Sequence, residues 1–298
     1  MMAMSEKEQL ELYTKEVEAV IEAYLPADTG HQKTVLSALN YSMRAGGKRL
    51  RPLLMRETYR LFGGTDTVIE PFMAAIEMIH TASLVHDDLP CMDNDELRRG
   101  KPTTWVSYGY DMAVLAGDAL LIYAIETAAK ALPLTTDPGP VAAAMGILAQ
   151  KTGIYGMIGG QVADVELTNQ ETTAEQLDFI YRLKTGALLE ASMMVGALLG
   201  GASAEELQKV EQLAAAIGMA FQIQDDILDL VSSPEVLGKP VHSDEKNNKT
   251  TYVTLNGLSQ AKLDVAAISG QAIGYLHELP GENSFLEALI RMLINREK

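Results

Sequence analysis

Apolar positions along the chain recur at the three- and four-residue spacing of helices, and no stretch keeps a strict apolar/polar alternation. The first pattern carries Leu10, Val17, Ile21 and Tyr24, opens on a capping box of Ser5 and Glu8, and stops at Pro26. A second helix is predicted over residues 33–44. It ends at Gly46-Gly47, a pair suited to the left-handed backbone of a helix C-terminus. Pro52 sits in the first turn of a third helix, which Gly63-Gly64 closes. A face of Phe72, Ile76, Ile79 and Ser83 predicts a core helix that delivers Asp87 and Asp88 and ends at Pro90. Further helical patterns cover residues 110–131, 141–165, 174–199, 204–231, 259–277 and 285–294. Breaks fall at Asp137-Pro-Gly-Pro140, Thr168-Asn169, Gly200-Gly201 and Ser232-Ser-Pro234. The most strand-like segment, residues 250–254, is too short and isolated to found a sheet. No break has the length of a linker and no fixed period repeats. The expectation is all-α: residues 1–298 as a single domain, one large helical bundle around a deep central cavity.

Composition sharpens this picture. Ala, Leu, Met, Glu and Gln are abundant and aromatic residues are few, as in helical chains. A formal net charge of −16 excludes a general nucleic-acid surface, which needs a broad excess of Lys and Arg. Local basic clusters in so acidic a chain point instead to a pocket for a small anion. The single cysteine, Cys91, excludes an intramolecular disulfide and fits a reducing compartment. The N-terminus lacks the basic-then-apolar pattern of a signal peptide. The apolar run over residues 187–201 is interrupted by Glu190 and too short to span a bilayer, so no stable membrane insertion is expected. A soluble, cytoplasmic protein is the expectation.

Two acidic clusters carry the candidate chemistry. In the first, Asp87, Asp88, Asp93, Asp95 and Glu96 are followed by Arg98, Arg99 and Lys101. Pro90 breaks the helix, so the chain must loop back to bring Asp93 near Asp87. In the second, Asp225 and Asp229 are four apart and project from one helix face. Asp226 lies about 100° around the helix, in a supporting position. A charge run is ordinarily a solvated loop. Two carboxylate sets in apolar helical contexts instead suit Mg²⁺, which takes oxygen ligands, keeps waters and binds substrate phosphates. A Ca²⁺ loop starting at Asp93 fails, because Leu97 and Arg98 stand where an oxygen ligand and glycine are required.

With these residues in view, the chain resembles the trans-prenyl diphosphate synthases of the bacterial farnesyl/geranylgeranyl type. His86-Asp-Asp-Leu-Pro-Cys-Met-Asp93 with Leu97-Arg-Arg-Gly-Lys-Pro102 resembles their first aspartate-rich motif, with four residues between the acidic pair and the next Asp. Phe221-Gln-Ile-Gln-Asp-Asp-Ile-Leu-Asp229 resembles the second. Gly46-Gly-Lys-Arg-Leu-Arg-Pro52, Gly160-Gln-Val-Ala-Asp164, Lys184-Thr-Gly186, Gly238-Lys-Pro240 and Lys249 match other landmarks in order, over nearly the whole chain. The resemblance implies an isoprenoid synthase-like fold and a homodimer that extends an allylic diphosphate with isopentenyl diphosphate. It assigns Mg²⁺, three ions, to Asp87, Asp93 and Asp225, with Asp88, Asp226 and Asp229 in support. It places Arg98, Lys184, Lys239 and Lys249 on the allylic diphosphate, and Lys48, Arg51, His80 and Arg99 on that of isopentenyl diphosphate. Loss of the allylic diphosphate leaves a cation, which the Lys184 carbonyl and the side-chain oxygens of Thr185 and Gln222 could face. The released pyrophosphate is the proton acceptor, as in the family.

Each assignment has a plainer rival. His80 taken alone is more often a core histidine, and Lys48, Arg49 and Arg51 are more often surface charge. Gln161 and Asp164 fit interhelical hydrogen bonds as readily as catalysis. Lys184 and Thr185, within an apolar helix, are harder to dismiss, since an unpaired buried Lys is costly. Cys91 is incidental and open to oxidation. In the resemblance, Ala82 and Ser83 form the floor that sets product length. Bacterial farnesyl synthases commonly carry an aromatic ring at the position of Ala82, so a C20 product is accessible here besides C15. Glu96, where the family more often has Asp, keeps the charge; Trp105 departs from the usual His and bears on local packing. A class I terpene cyclase and a non-catalytic subunit of a heteromeric synthase are the alternatives. The Asp225-Asp226-x-x-Asp229 form of the second motif and the basic set for a second diphosphate (Lys48, Arg51, His80, Arg99) weigh against the first, and retention of both acidic motifs against the second.

Overall fold

The computed structural model describes residues 5–231 and 250–294. The elements are α1 (Glu6–Ala23), α2 (Lys33–Met43), α3 (Leu50–Leu61), α4 (Glu70–Asp87), β1 (Leu97–Arg98), β2 (Lys101–Pro102), α5 (Thr104–Tyr108) and α6 (Tyr110–Ala129). They continue with α7 (Pro138–Thr152), α8 (Met157–Glu166), α9 (Ala174–Ile180), a π-helical segment (Tyr181–Gly186), α10 (Ala187–Leu199), α11 (Ala204–Val231), α12 (Tyr252–Asn256), α13 (Leu258–His277) and α14 (Ser284–Ile294). The fold is all-α, as the periodicity predicts. The chain groups into two compact units, Met1–Arg56 with Thr65–Gly146, and Glu57–Gly64 with Ile147–Lys298.

In the first unit α4 is buried on every side, from Phe72 through Met78 to Ala82, the mark of a central helix. Its neighbour α6 approaches closely through small residues: a Cβ on Gly117 would lie 2.1 Å from Nε2 of His86, so only glycine admits that ring. The capping box at Ser5 is formed, with the Ser5 N–H donating to Glu8 Oε2 at 2.9 Å. In the second unit the central helix is α10, buried from Ala187 to Ala197. Its Glu190 is held by Lys151, which also reaches Glu211 at 2.6 Å. One stripe of α14 (Phe285, Leu286, Leu289, Ile290, Leu293) is buried, the amphipathic pattern of a packed outer helix.

Four details depart from the expected elements. Residues 141–165 form two helices, α7 and α8, and residues 174–199 are interrupted by the π-helical segment. The strand-like residues 250–254 instead cap and begin a short helix, with Thr251 as N-cap. The basic block forms a small antiparallel hairpin, Arg98 opposite Lys101, turned by Arg99 and Gly100 at positive φ. Three stretches are also long and apolar enough to cross a membrane by length and composition: Thr67–Asp87, Tyr110–Leu134 and Pro138–Glu166. The run over residues 187–201 is therefore not the relevant one. The first stretch is 78% buried inside the protein, the second 39% and the third 28%, so the core covers most of the first alone.

Candidate active site

The first acidic cluster sits where α4 ends. Past Pro90 the chain turns back, and the Asp93 N–H donates to the Asp87 carbonyl at 2.9 Å. The loop-back expected from the proline is present. Asp88 is buried and accepts from Arg98 Nε at 2.7 Å, while Arg98 also reaches Asp95 at 3.5 Å. Burial pushes the Asp88 carboxyl up, Arg98 opposes it, and Asp95 and Asp93 add to the rise. Burial works against the Arg98 charge too, yet Asp88, Asp95 and Asp87 outweigh it and hold the guanidinium charged. Trp105 donates from Nε1 to the Asp95 carbonyl at 2.8 Å, so this departure from the family pattern braces the acidic loop.

A cationic nest stands beside it in the same unit. Burial drives the His80 imidazole well below its usual range, and Arg51, Arg99, Arg98 and Arg49 add to that effect. His80 is therefore neutral among arginines. Arg51 and Arg99 are pushed down by burial, and Glu77 opposes the shift at both. Glu77 is buried in α4 and accepts from Arg49 Nη1 at 2.7 Å. The guanidinium of Arg99 lies against the Gly46-Gly47 turn, where a Cβ on Gly47 would meet Nη1 at 2.7 Å. Lys48 is exposed on the same turn. Ala82 is fully buried, and Ser83 Oγ donates to the His80 carbonyl at 2.8 Å.

In the second unit one cleft of about 160 Å³ is lined by Asp164, Lys184, Thr185, Gln222, Asp225, Asp226 and Asp229. The π-helical segment carries Lys184 and Thr185 into it, as such irregular turns often do at functional sites. Lys184 Nζ donates to Asp164 Oδ2 at 2.5 Å, and Thr185 Oγ1 to Gln222 Oε1 at 3.0 Å. Glycines allow the crossings: a Cβ on Gly160 would lie 2.2 Å from the Lys184 nitrogen, and one on Gly218 2.9 Å from Gly186 Cα. Asp226 is buried and accepts from Tyr181 and from the Tyr252 N–H. Lys239 and Lys249 lie outside the described residues.

Sequence reasoning left Asp164 and Gln161 undecided and passed over Glu77, Tyr181 and Tyr252. A lone acid in the apolar run of α4 was the available signal for Glu77; the two tyrosines offered none. Among the described residues no three His, Cys, Asp or Glu side chains form a ready metal cluster. The carboxylates that line the second-unit cleft, Asp225 and Asp229, are still donors of the kind Mg²⁺ takes, since it completes its shell with water and phosphate oxygens.

The family model for polyprenyl synthetase matches residues 32–278. The chain is 44% identical over 276 residues to a farnesyl diphosphate synthase of Geobacillus stearothermophilus, covering 88% of this chain and 93% of that one. It is 47% identical over 236 residues to a chloroplastic geranylgeranyl pyrophosphate synthase of Capsicum annuum, covering 79% and 64%. A crystal structure of an FPP/GFPP synthase of Zymomonas mobilis superposes with a TM-score of 0.86 at 33% identity, covering 97% and 98%. These relatives favour neither a cyclase nor a silent subunit. Enzymes of the matched family are generally Mg²⁺-dependent and bind isopentenyl and allylic diphosphates. With both acidic motifs, the cationic nest and Lys184 in the positions described, the chain belongs to the polyprenyl synthetase family and is one of its prenyltransferases.

Proposed function

We propose that this enzyme condenses isopentenyl diphosphate head-to-tail with dimethylallyl or geranyl diphosphate, as one catalytic domain. The observation that carries the reading is the cleft that sets Asp225 and Asp229 beside Lys184, Thr185 and Gln222. Asp87, Asp93 and Asp225 would hold Mg²⁺, three ions by the family resemblance, with Asp88, Asp226 and Asp229 in support. When bound, Mg²⁺ supplies neutralisation of the charge that grows on the leaving diphosphate. Arg98, fixed by Asp88, and Lys184, fixed by Asp164, bind the same allylic diphosphate. Lys239 and Lys249 join them. The allylic C–O bond breaks, and the Lys184 carbonyl with the Thr185 and Gln222 oxygens face the resulting cation. Arg51, Arg99, Lys48 and neutral His80 hold the second diphosphate, whose double bond attacks; the proton then leaves to pyrophosphate.

Product length is read from Ala82. By the family resemblance Ala82 stands where an aromatic ring would stop the tail, so C20 is proposed to be accessible along with C15. Relatives named as farnesyl and as geranylgeranyl synthases support both. The enzyme is proposed to be cytoplasmic and homodimeric. Exposed apolar residues on α6 (Leu115, Ile122 at 72%) and on α8 (Ile158, Val162) support a covering partner copy. The test incubates the enzyme with Mg²⁺, isopentenyl diphosphate and either allylic diphosphate, and separates the products by chromatography. Elongated diphosphates are expected, lost in Asp87→Ala and in Asp225→Ala with helicity kept. A hydrocarbon product, or none, refutes the reaction. C15 alone under excess isopentenyl diphosphate refutes the open floor, and Ala82→Tyr should shorten the product.

A further inference from the structure

The second acidic motif is held by a knot of hydrogen bonds that its own chemistry does not require. Asp226 is 6% exposed, and Tyr181, 7% exposed, donates from its hydroxyl to Asp226 Oδ2 at 2.5 Å. The Tyr252 N–H donates to the same oxygen at 2.8 Å and reaches the Tyr181 hydroxyl at 3.3 Å. The Tyr252 hydroxyl in turn donates to Asp264 Oδ2 at 2.8 Å, on α13. Three walls of the cleft thus meet at one carboxylate oxygen. Tyr181 begins the π-helical segment that carries Lys184 and Thr185. Asp226 lies on α11 between Asp225 and Asp229. Tyr252 follows Thr250 and Thr251, which line the cleft.

A hydroxyl donating to a carboxylate makes a charge-assisted bond, shorter and stronger than a neutral one. Partners of this kind behind a ligating residue fix its orientation, and losing one typically costs about 10- to 100-fold in metal affinity. We propose that the Tyr181 hydroxyl is a positioning group for the metal–diphosphate site: through Asp226 it sets the rotation of α11 that aims Asp225 and Asp229, and ties that aim to Lys184. Tyr181 lines the same cleft, and the role assigned to it acts through Asp226. The inference rests on the reading of Asp225 as a Mg²⁺ ligand, and the experiment separates the two.

Binding of inorganic pyrophosphate with Mg²⁺ to the full chain is measured by calorimetry for the wild type, Tyr181→Phe, Asp226→Asn and Asp225→Ala. Tyr181→Phe is expected to weaken this binding roughly tenfold. In turnover it should raise the Mg²⁺ concentration for half-maximal rate and the KM for the allylic diphosphate, leaving the KM for isopentenyl diphosphate in place. A merely structural tyrosine would lower the melting temperature without that split. Should Tyr181→Phe fail to fold, Asp226→Asn carries the same expectation. Wild-type affinity in the folded variants, with binding lost in Asp225→Ala, overturns the positioning role alone. Wild-type affinity in Asp225→Ala as well overturns the underlying site reading.

Discussion

Gly160→Ala tests whether close helix packing places Lys184, the lysine proposed to bind the allylic diphosphate. Gly160 lies in α8, where alanine is the better helix former by about 1 kcal/mol, so on propensity alone the change stabilises. The surroundings say otherwise. The new Cβ would stand 2.2 Å from the Lys184 nitrogen and 2.8 Å from Leu183 C, all backbone atoms that no side-chain rotation can clear. Ordinary contact begins at 3.4 Å, so α8 and the π-helical segment must part by about 1.2 Å. Overpacking of this kind costs about 1–3 kcal/mol, enough to cancel or exceed the propensity gain. The chemical effect is larger, because a shift near 1 Å in a reacting group costs roughly 10²-fold in rate. The assay is kcat/KM for the allylic diphosphate at saturating isopentenyl diphosphate, with a thermal melt alongside. Gly146→Ala is the control: exposed on α7 with nothing within 4 Å, it should gain about 0.5–1 kcal/mol and leave the rate alone. If Gly160→Ala matched that control, with wild-type kcat/KM and a raised melting temperature, the packing argument would be wrong.

Two further outcomes follow from buried charge. His80 titrates in the folded protein well below its ordinary 6.5, so just under that pH the unfolded chain binds more protons than the folded one. Stability should therefore fall as pH drops below 6.5, by up to ~1.4 kcal/mol per pH unit, until the folded imidazole itself protonates. Urea midpoints across pH 7 to 5 check this, and His80→Gln should flatten the slope. Lys151→Met removes the cation shared by Glu190 and Glu211 and leaves Glu190 buried without it. Destabilisation of about 3–5 kcal/mol is expected at neutral pH, read as a lowered urea midpoint, and a midpoint unchanged from wild type would contradict it.

Much of the fold could be read from local signals. The span of α11 and the capping box at Ser5 follow from periodicity and cap chemistry, which act within a few residues. The return of Asp93 to Asp87 follows from a proline that cannot continue a helix. The acidic and basic residue types were likewise enough to suggest a metal–diphosphate chemistry. Periodicity could not show that residues 174–199 slip into a π turn, because that turn is accommodated by Gly160 and Gly218 from other helices. Nor could β propensity at residues 250–254 compete with the Thr251 cap and the bond from the Tyr252 N–H to Asp226. The roles of Glu77 and Tyr181 were hidden for the same reason. A buried carboxylate or hydroxyl acquires its meaning from the partner that satisfies it, and those partners are 28 and 45 residues away along the chain. The sequence by itself determined most of the helical segments and the motifs that mark the family; tertiary packing decided where the helices bend and which carboxylates pair with the lysines and arginines, since those contacts exist only once distant segments have met.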